Sequence, residues 1–275
     1  MIKEAQGKYL ILNGQVEEVE ENESFELIKE EPQYEVFVVV DSVVMFFEEH
    51  MARLEKTADK LGLVLTRSRE DIEKDLYKLI KLNDLDKSLI KLIVYKDKYL
   101  VYEHYDRPVD QEDLDQGVKV AIFDYERQDP NLKILRHEFK REVAKFMIDT
   151  DSFEALLRTK DGELLEGSRT NLYFTQGDKV ISAPADRVLR GITRSRMEKI
   201  FKKLNIDLEE KVIRDIDLVK VDGAFLSGTT VGILPIKSIE SIEFDVENNK
   251  LIKKLVQGYK DLQAAYIKEK KESFS

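Results

Sequence analysis

EGSRTNLYF, from Glu166 to Phe174, places a carboxylate directly before Gly167 and Ser168 and ends in an apolar run of strand character. A carboxylate followed by glycine and serine leaves regular strand geometry, and the Asn171 amide can hydrogen-bond backbone and hold the resulting loop. By itself the stretch reads as a hairpin corner with a solvated glutamate. Three other places bear on it. Upstream stands Lys133 in NLKIL, on composition one surface lysine among many. Downstream, Arg190-Gly191-Ile192-Thr193-Arg194 opens a helix whose inward residues are Met197, Ile200, Phe201 and Leu204. The free N–H groups and positive dipole end of such a helix suit a phosphate. Further on, Ser227-Gly228-Thr229-Thr230 follows the short buried-type strand Ala224 to Leu226 and offers hydroxyls and unshielded backbone donors. Taken singly, the last two are a capped helix start and a polar turn.

Composition narrows the chemistry. The chain has 275 residues, 42% of them hydrophobic, enough to bury a core in one large domain or two modest ones. Cysteine is absent, which excludes disulfides, thiolate metal sites and a cysteine nucleophile, and His50, His104 and His137 lack metal-site spacing. Fifty-five acidic against 45 basic residues give a net charge of −10, which disfavours a nucleic-acid partner and leaves a small ligand as the expectation. No apolar run approaches the roughly 20 residues of a membrane span, and MIKEAQGKYL is charged where a signal peptide is apolar. A soluble, cytoplasmic protein without membrane partners is expected. Its chemistry must come from lysine, carboxylates or a borrowed cofactor.

Along the chain, Val36 to Val40 and Val43 to Phe47 flank Asp41-Ser42 as a predicted hairpin. Met51, Leu54, Ala58 and Leu61 then mark a helix ended by Gly62, and Ser68 with Asp71 caps a second helix with Ile72, Leu76, Leu79 and Ile80 inward. Strands follow at 89–95 and 99–102, then a polar stretch over 103–117 and a strand at 118–123. This predicts an N-terminal α+β domain over 1–123, an irregular interdomain segment at 124–131 containing Pro130, and a C-terminal α/β domain over 132–275. In the latter, Leu135, Phe139, Val143, Phe146 and Met147 form one helical stripe, which sets Lys133 at or just before a first helical turn. Asp161-Gly162 and Gly177-Asp178 are predicted turns, and Leu251, Leu255, Tyr259 and Leu262 mark a C-terminal helix.

The order and spacing of Lys133, EGSRTN from Glu166, GITR at 191–194 and SGTTVGILPI at 227–236 resemble the class IV aminotransferases. This family comprises branched-chain aminotransferases, D-amino-acid transaminases and 4-amino-4-deoxychorismate lyases. YEVFVVV followed by EHMARL resembles the family's first-domain strand and the helix with its phosphate-binding arginine, which maps onto Arg53. The resemblance implies a two-domain α/β (α+β) fold of fold type IV, pyridoxal 5′-phosphate as cofactor, and a homodimer. It implies Lys133 as the Schiff-base and proton-transfer lysine, and Glu166 as the carboxylate at the pyridine nitrogen. Arg53, Ile192, Thr193 and Thr229 fall to the phosphate, with Asn171 and His137 beside the cofactor; His137 stands where family members commonly carry a tyrosine. Substrate contacts fall to Tyr34, Lys96, Thr229 and Thr230.

Those residue types belong together chemically. An amine must hold the cofactor aldehyde and move a proton, a buried carboxylate must keep the pyridine nitrogen protonated, and a phosphate wants a helix N-terminus and an arginine. The implied activity is amino-group transfer between an amino acid and a 2-oxo acid. A pyruvate-eliminating lyase on the same cofactor is the nearest alternative, and a non-catalytic binding protein on this scaffold the alternative of another class. The chain departs from the family at IKEEPQYEV, where Pro32 and Gln33 replace glycines, at Arg136 for an asparagine, and at Gly232 for a glutamate. These departures touch substrate recognition more than the cofactor.

Overall fold

The computed structural model describes residues 5–21, 31–96 and 98–273, and the chain divides into two compact units. The first comprises residues 1–107, 132–137 and 263–275; the second comprises 108–131 and 138–262. The N-terminal domain expected to reach residue 123 ends earlier, because the strand after residue 117 pairs within the second unit, and the short segment bearing Lys133 belongs to the first.

In the first unit, β1 (Ala5–Leu12), β2 (Gln15–Glu18), β3 (Gln33–Val40) and β4 (Val43–Val44) precede α1 (Phe47–Leu61) and α2 (Arg69–Asn83). After them come β5 (Lys87–Tyr95) and β6 (Lys98–His104). The strands form an antiparallel sheet in the order β2-β1-β6-β5-β3-β4. The predicted hairpin at Asp41-Ser42 is present, both residues having positive φ, as a two-residue turn that matches strand twist requires. Its second strand stops at Val44, because Phe46 adopts a left-handed conformation and starts α1. The Gly62 and Ser68 caps lie where the sequence put them.

β3 alternates buried and half-buried residues, so Gln33, Glu35, Phe37 and Val39 share the face covered by α1 and α2. Phe37, Val39, Ile90, Leu92 and Val101 pack there against Met51, Leu54, Leu76 and Leu79. Tyr34 takes the opposite face, with Leu10, Ile93, Leu100 and Tyr102.

The second unit begins with α3 (Gln111–Gln116), a short helix closed by an Asp110–Asp113 capping box inside the polar stretch over 103–117. It continues through β7 (Val118–Asp124), α4 (His137–Asp149), β8 (Glu154–Arg158), β9 (Glu163–Gly167), β10 (Asn171–Gln176) and β11 (Lys179–Ser182). Then come α5 (Ile192–Leu204), β12 (Asp207–Glu210), β13 (Ile213–Arg214), β14 (Gly223–Gly228), β15 (Gly232–Ile239), β16 (Ile242–Glu243) and α6 (Lys250–Ser273), whose residues from 263 onward belong to the first unit. The strands join in one mixed sheet, in which β7–β8 and β11–β12 are parallel pairs bridged by the helical crossovers α4 and α5. The stripe expected on α4 is only partly used: Leu135 precedes the helix and is buried with Val143, while Phe139, Phe146 and Met147 are half-exposed. No helix among the described residues is long and apolar enough to cross a membrane.

The N-cap of α1, Phe46, makes no side-chain cap hydrogen bond. Instead the Tyr266 hydroxyl, from the end of α6, accepts the Phe47 N–H at 3.2 Å and donates to Glu48 at 2.8 Å, with its ring against Phe46. A long-range cap of this kind replaces the usual Ser or Asp. Tyr266→Phe should therefore lower unfolding free energy by about 1 kcal/mol, the size of a lost cap. Thermal or urea unfolding measures it, and an unchanged transition would show that water caps α1 equally well.

Candidate functional site

In the first unit the site-bearing residues gather around β3. Glu35 lies under the sheet with 1% of its surface exposed, and α1 presents His50 and Arg53, one turn apart, to it. Arg53 donates from Nε to Oε1 at 2.7 Å and from Nη2 to Oε2 at 2.5 Å, a bidentate fork. His50 Nδ1 meets Oε2 at 2.7 Å, and its ring packs on Phe37. Burial alone would raise the Glu35 carboxyl, but the Arg53 guanidinium, helped by His50, holds it down at about 2. Burial lowers His50 further than Glu35 raises it, with Arg53 and Lys133 adding positive field.

Lys133 is not at a helix start. The Tyr34 N–H donates to the Lys133 carbonyl at 3.3 Å, the Leu135 N–H donates to the Pro32 carbonyl at 2.8 Å, and Gln33 faces Ile134 in an antiparallel bridge. The lysine thus sits on a short extended segment zipped to β3, and α4 begins only at His137. The departure from the helical expectation follows from this pairing, in which the Leu135 N–H is taken by the Pro32 carbonyl rather than by a carbonyl of its own segment. His137, expected beside the cofactor, is exposed at the start of α4, and the residues between it and Lys133 are not helical. Lys133 Nζ stands 4.4 Å from the Tyr34 ring centroid. Lys96 lies in the β5–β6 turn over Tyr95, whereas Lys91, fully buried on β5, reaches over Tyr34 at 5.5 Å and Tyr102 at 5.9 Å.

In the second unit Glu166 and Asn171 are Cα partners across the β9–β10 hairpin. The corner between them is closed by the Gly167 N–H on the Thr170 carbonyl. Below it lies Glu154, fully buried: Oε1 accepts the Ser168 N–H and hydroxyl at 3.2 and 2.5 Å, and Oε2 accepts the Thr170 hydroxyl at 3.2 Å. A Cβ at Gly167 would lie 2.2 Å from Thr170 Oγ1, so only glycine fits. Glu166 itself is buried, with Oε1 accepting from Arg127 Nε at 2.9 Å and Oε2 from the Leu189 N–H at 3.0 Å. The Leu189 carbonyl takes the Asn171 amide at 2.8 Å, so both hairpin residues hold Leu189.

Leu189 leads into α5. A Cβ at Gly191 would meet Asn171 Oδ1 at 2.4 Å, and Gly191 caps α5 without a side-chain hydrogen bond, so no side chain of its own occupies the helix mouth. Ile192 and Thr193, both buried, form its first turn. Arg194 braces it from behind, donating to Ser182, the Ala183 carbonyl and Glu210, which accounts structurally for the arginine of GITR. Ser227 on β14 faces Asn171, and Thr229 and Thr230 form the turn into β15. Glu166, the α5 N-terminus and the Ser227–Thr230 turn therefore lie at one end of the sheet. Glu35, Lys91, Arg127 and Glu154 were not singled out in the sequence; a lone acid inside the apolar run from Phe153 to Leu157 was a signal for Glu154.

The family described as amino-transferase class IV matches residues 33–239. The chain belongs to that family. It is 25% identical over 225 residues to a D-alanine aminotransferase of Bacillus licheniformis, covering 75% of this chain and 78% of the relative. It is 25% identical over 255 residues to the aminodeoxychorismate lyase of Bacillus subtilis strain 168, covering 86% and 87%. The fold matches the branched-chain amino acid aminotransferase of Thermobaculum terrenum in its PLP form at a TM-score of 0.75, with 17% identity and 96% of each chain covered. The two-domain class IV fold expected from the motifs is thus the fold of this chain. Family membership also implies pyridoxal phosphate, and the donor set fits it: a helix mouth unblocked by a cap side chain, and a buried carboxylate with both oxygens fixed.

The Glu35 cluster has a pH signature. Its carboxyl lies below the ordinary 4.5, so its contribution is present above that pH and is lost as pH falls towards 2. For a buried pair it is on the order of 3 kcal/mol. Wild type should lose stability relative to Glu35→Gln as urea midpoints are followed from pH 6 to pH 3 (roughly the window set by the linkage). Parallel curves would remove the ionised Glu35 from the account.

Proposed function

We propose that this class IV protein binds pyridoxal 5′-phosphate covalently through Lys133 and moves an amino group between an amino acid and a 2-oxo acid. The observation that carries the reading is the connected frame Glu166–Leu189–Asn171–Gly191, which ties a buried carboxylate to the mouth of α5. The bound cofactor would supply an electron-accepting ring. Lys133 Nζ would take a proton from the substrate α-carbon and return one elsewhere, its segment fixed by backbone bonds to β3. Glu166 would hold the proton on the ring nitrogen. The N–H groups of Ile192 and Thr193, with the Thr193 and Thr229 hydroxyls, would receive the phosphate. Arg53 would contribute its remaining Nη1, since Nε and Nη2 are committed to Glu35. Tyr34, Thr229 and Thr230 are the proposed substrate contacts, together with Lys96 from the β5–β6 turn, and His137 at the exposed start of α4 is proposed beside the cofactor. A homodimer is part of the same proposal.

A second reading, pyruvate elimination by a lyase, is supported by the aminodeoxychorismate lyase relative, which matches over 86% of this chain. Amino transfer to 2-oxoglutarate against pyruvate release from aminodeoxychorismate separates the two. Neither product in a broad amino-acid panel would favour the non-catalytic reading. Lys133→Ala should abolish the visible band of the covalently held cofactor, and a band surviving in the variant would move the attachment to another lysine.

Arg53→Ala should weaken pyridoxal phosphate binding by about tenfold or more, the scale of a lost hydrogen bond to a charged group. Turnover of the saturated variant should change less, because the phosphate is a handle gripped alike throughout the reaction. Titration of apo-protein measures the first effect. Unchanged affinity would confine Arg53 to its structural pairing with Glu35.

A further inference from the structure

We propose that Arg127 is the positioning residue of Glu166, holding that carboxylate charged and aimed for the ring nitrogen. The proposal rests on the reading of Glu166 given above and extends it to a residue outside the family motifs described here. Arg127 is fixed three ways: Nε donates to Glu166 Oε1 at 2.9 Å, Nη2 donates to the Ser168 carbonyl at 3.0 Å, and the guanidinium lies 5.4 Å over the Phe139 ring. It therefore binds both the carboxylate and the corner that carries it.

The surroundings make this arginine matter. Glu166 borders a cavity of about 230 Å³ whose wall also includes Tyr125, Glu126, Arg127, Asp186 and Arg187. Arg187 is engaged by Glu163 in a fork at 3.2 and 2.6 Å. From β10 the neighbouring side chain is the neutral Asn171, and from the segment before α5 the donor is the Leu189 N–H. Without Arg127, Glu166 Oε1 would lose its charge-assisted donor while Glu126 and Asp186 contributed negative charge at the cavity wall. A buried carboxylate so placed takes up a proton more readily. Once protonated, it offers a hydroxyl where the ring N–H needs an acceptor. The sign is therefore fixed: losing Arg127 moves the acid limb of turnover to higher pH.

The experiment uses holoenzyme of wild type, Arg127→Met, Arg127→Lys, Glu166→Gln and the Arg127→Met/Glu166→Gln double variant. Turnover and the visible cofactor band are followed against pH, and thermal melting is recorded alongside. Arg127→Met should raise the acid limb by about one pH unit or more, since a lost neighbouring charge shifts a buried carboxylate by that scale. Arg127→Lys, which keeps the charge but loses the fork, should fall between and guards against a misfolded methionine variant. In the Glu166→Gln background the same change should leave the band's pH dependence where Glu166→Gln alone puts it. A limb superimposable on wild type, with only melting lowered, would overturn the proposal; so would an equal displacement in the Glu166→Gln background. A wild type that takes up no cofactor would sink the functional reading, and this proposal with it.

Discussion

Glu154 is the acceptor on which the candidate site's hairpin is built. A carboxylate with no exposed surface must have its lone pairs filled, and this one is filled by the Ala155 N–H, the backbone and hydroxyl of Ser168, the hydroxyl of Thr170 and the Arg169 guanidinium. The corner is thereby held down onto β8, and Glu166 and Asn171 emerge from it as facing partners. From there the shared Leu189 backbone carries the register into α5. Each step is a hydrogen bond to a group that has little alternative, which is how a loop attains the precision of a regular element.

A similar economy operates in the first unit, by a different route. Glu35 is buried beneath β3 and is tolerable there because two groups on α1 satisfy it. The pairing orients the Arg53 guanidinium without consuming all of it. One charge therefore serves both to make the buried acid acceptable and to leave a donor at the edge of the fold.

Much of this was legible in the sequence, and the part that was not has a common cause. The hairpin at Asp41-Ser42, the caps at Gly62 and Ser68 and the turns at Gly162 and Gly177 depend on local backbone preference, which a single sequence carries. The strings around Glu166, Asn171 and Gly191 were read through their resemblance to a family, and the structure joins these residues in one frame through Leu189. Glu154, Arg127 and Tyr266 escaped because their roles lie in contacts with chain 14, 39 and 219 residues away. The segment around Lys133 misled periodicity: Leu135 fits the stripe of α4, but a bridge to β3 takes it before the helix begins.

That bridge has a consequence for how the chain can change over evolutionary time. Side chains along an extended segment point alternately to opposite sides, so the face on which Lys133 emerges is set by parity relative to Gln33 and Ile134. A single-residue insertion or deletion between Asn131 and Lys133 would have to be absorbed before the bridge or would turn the lysine over, whereas a two-residue change preserves its side. Length variation in the connection ahead of this lysine is thus constrained by parity as well as by reach, a restriction that a helical attachment, with its finer angular steps, would not impose.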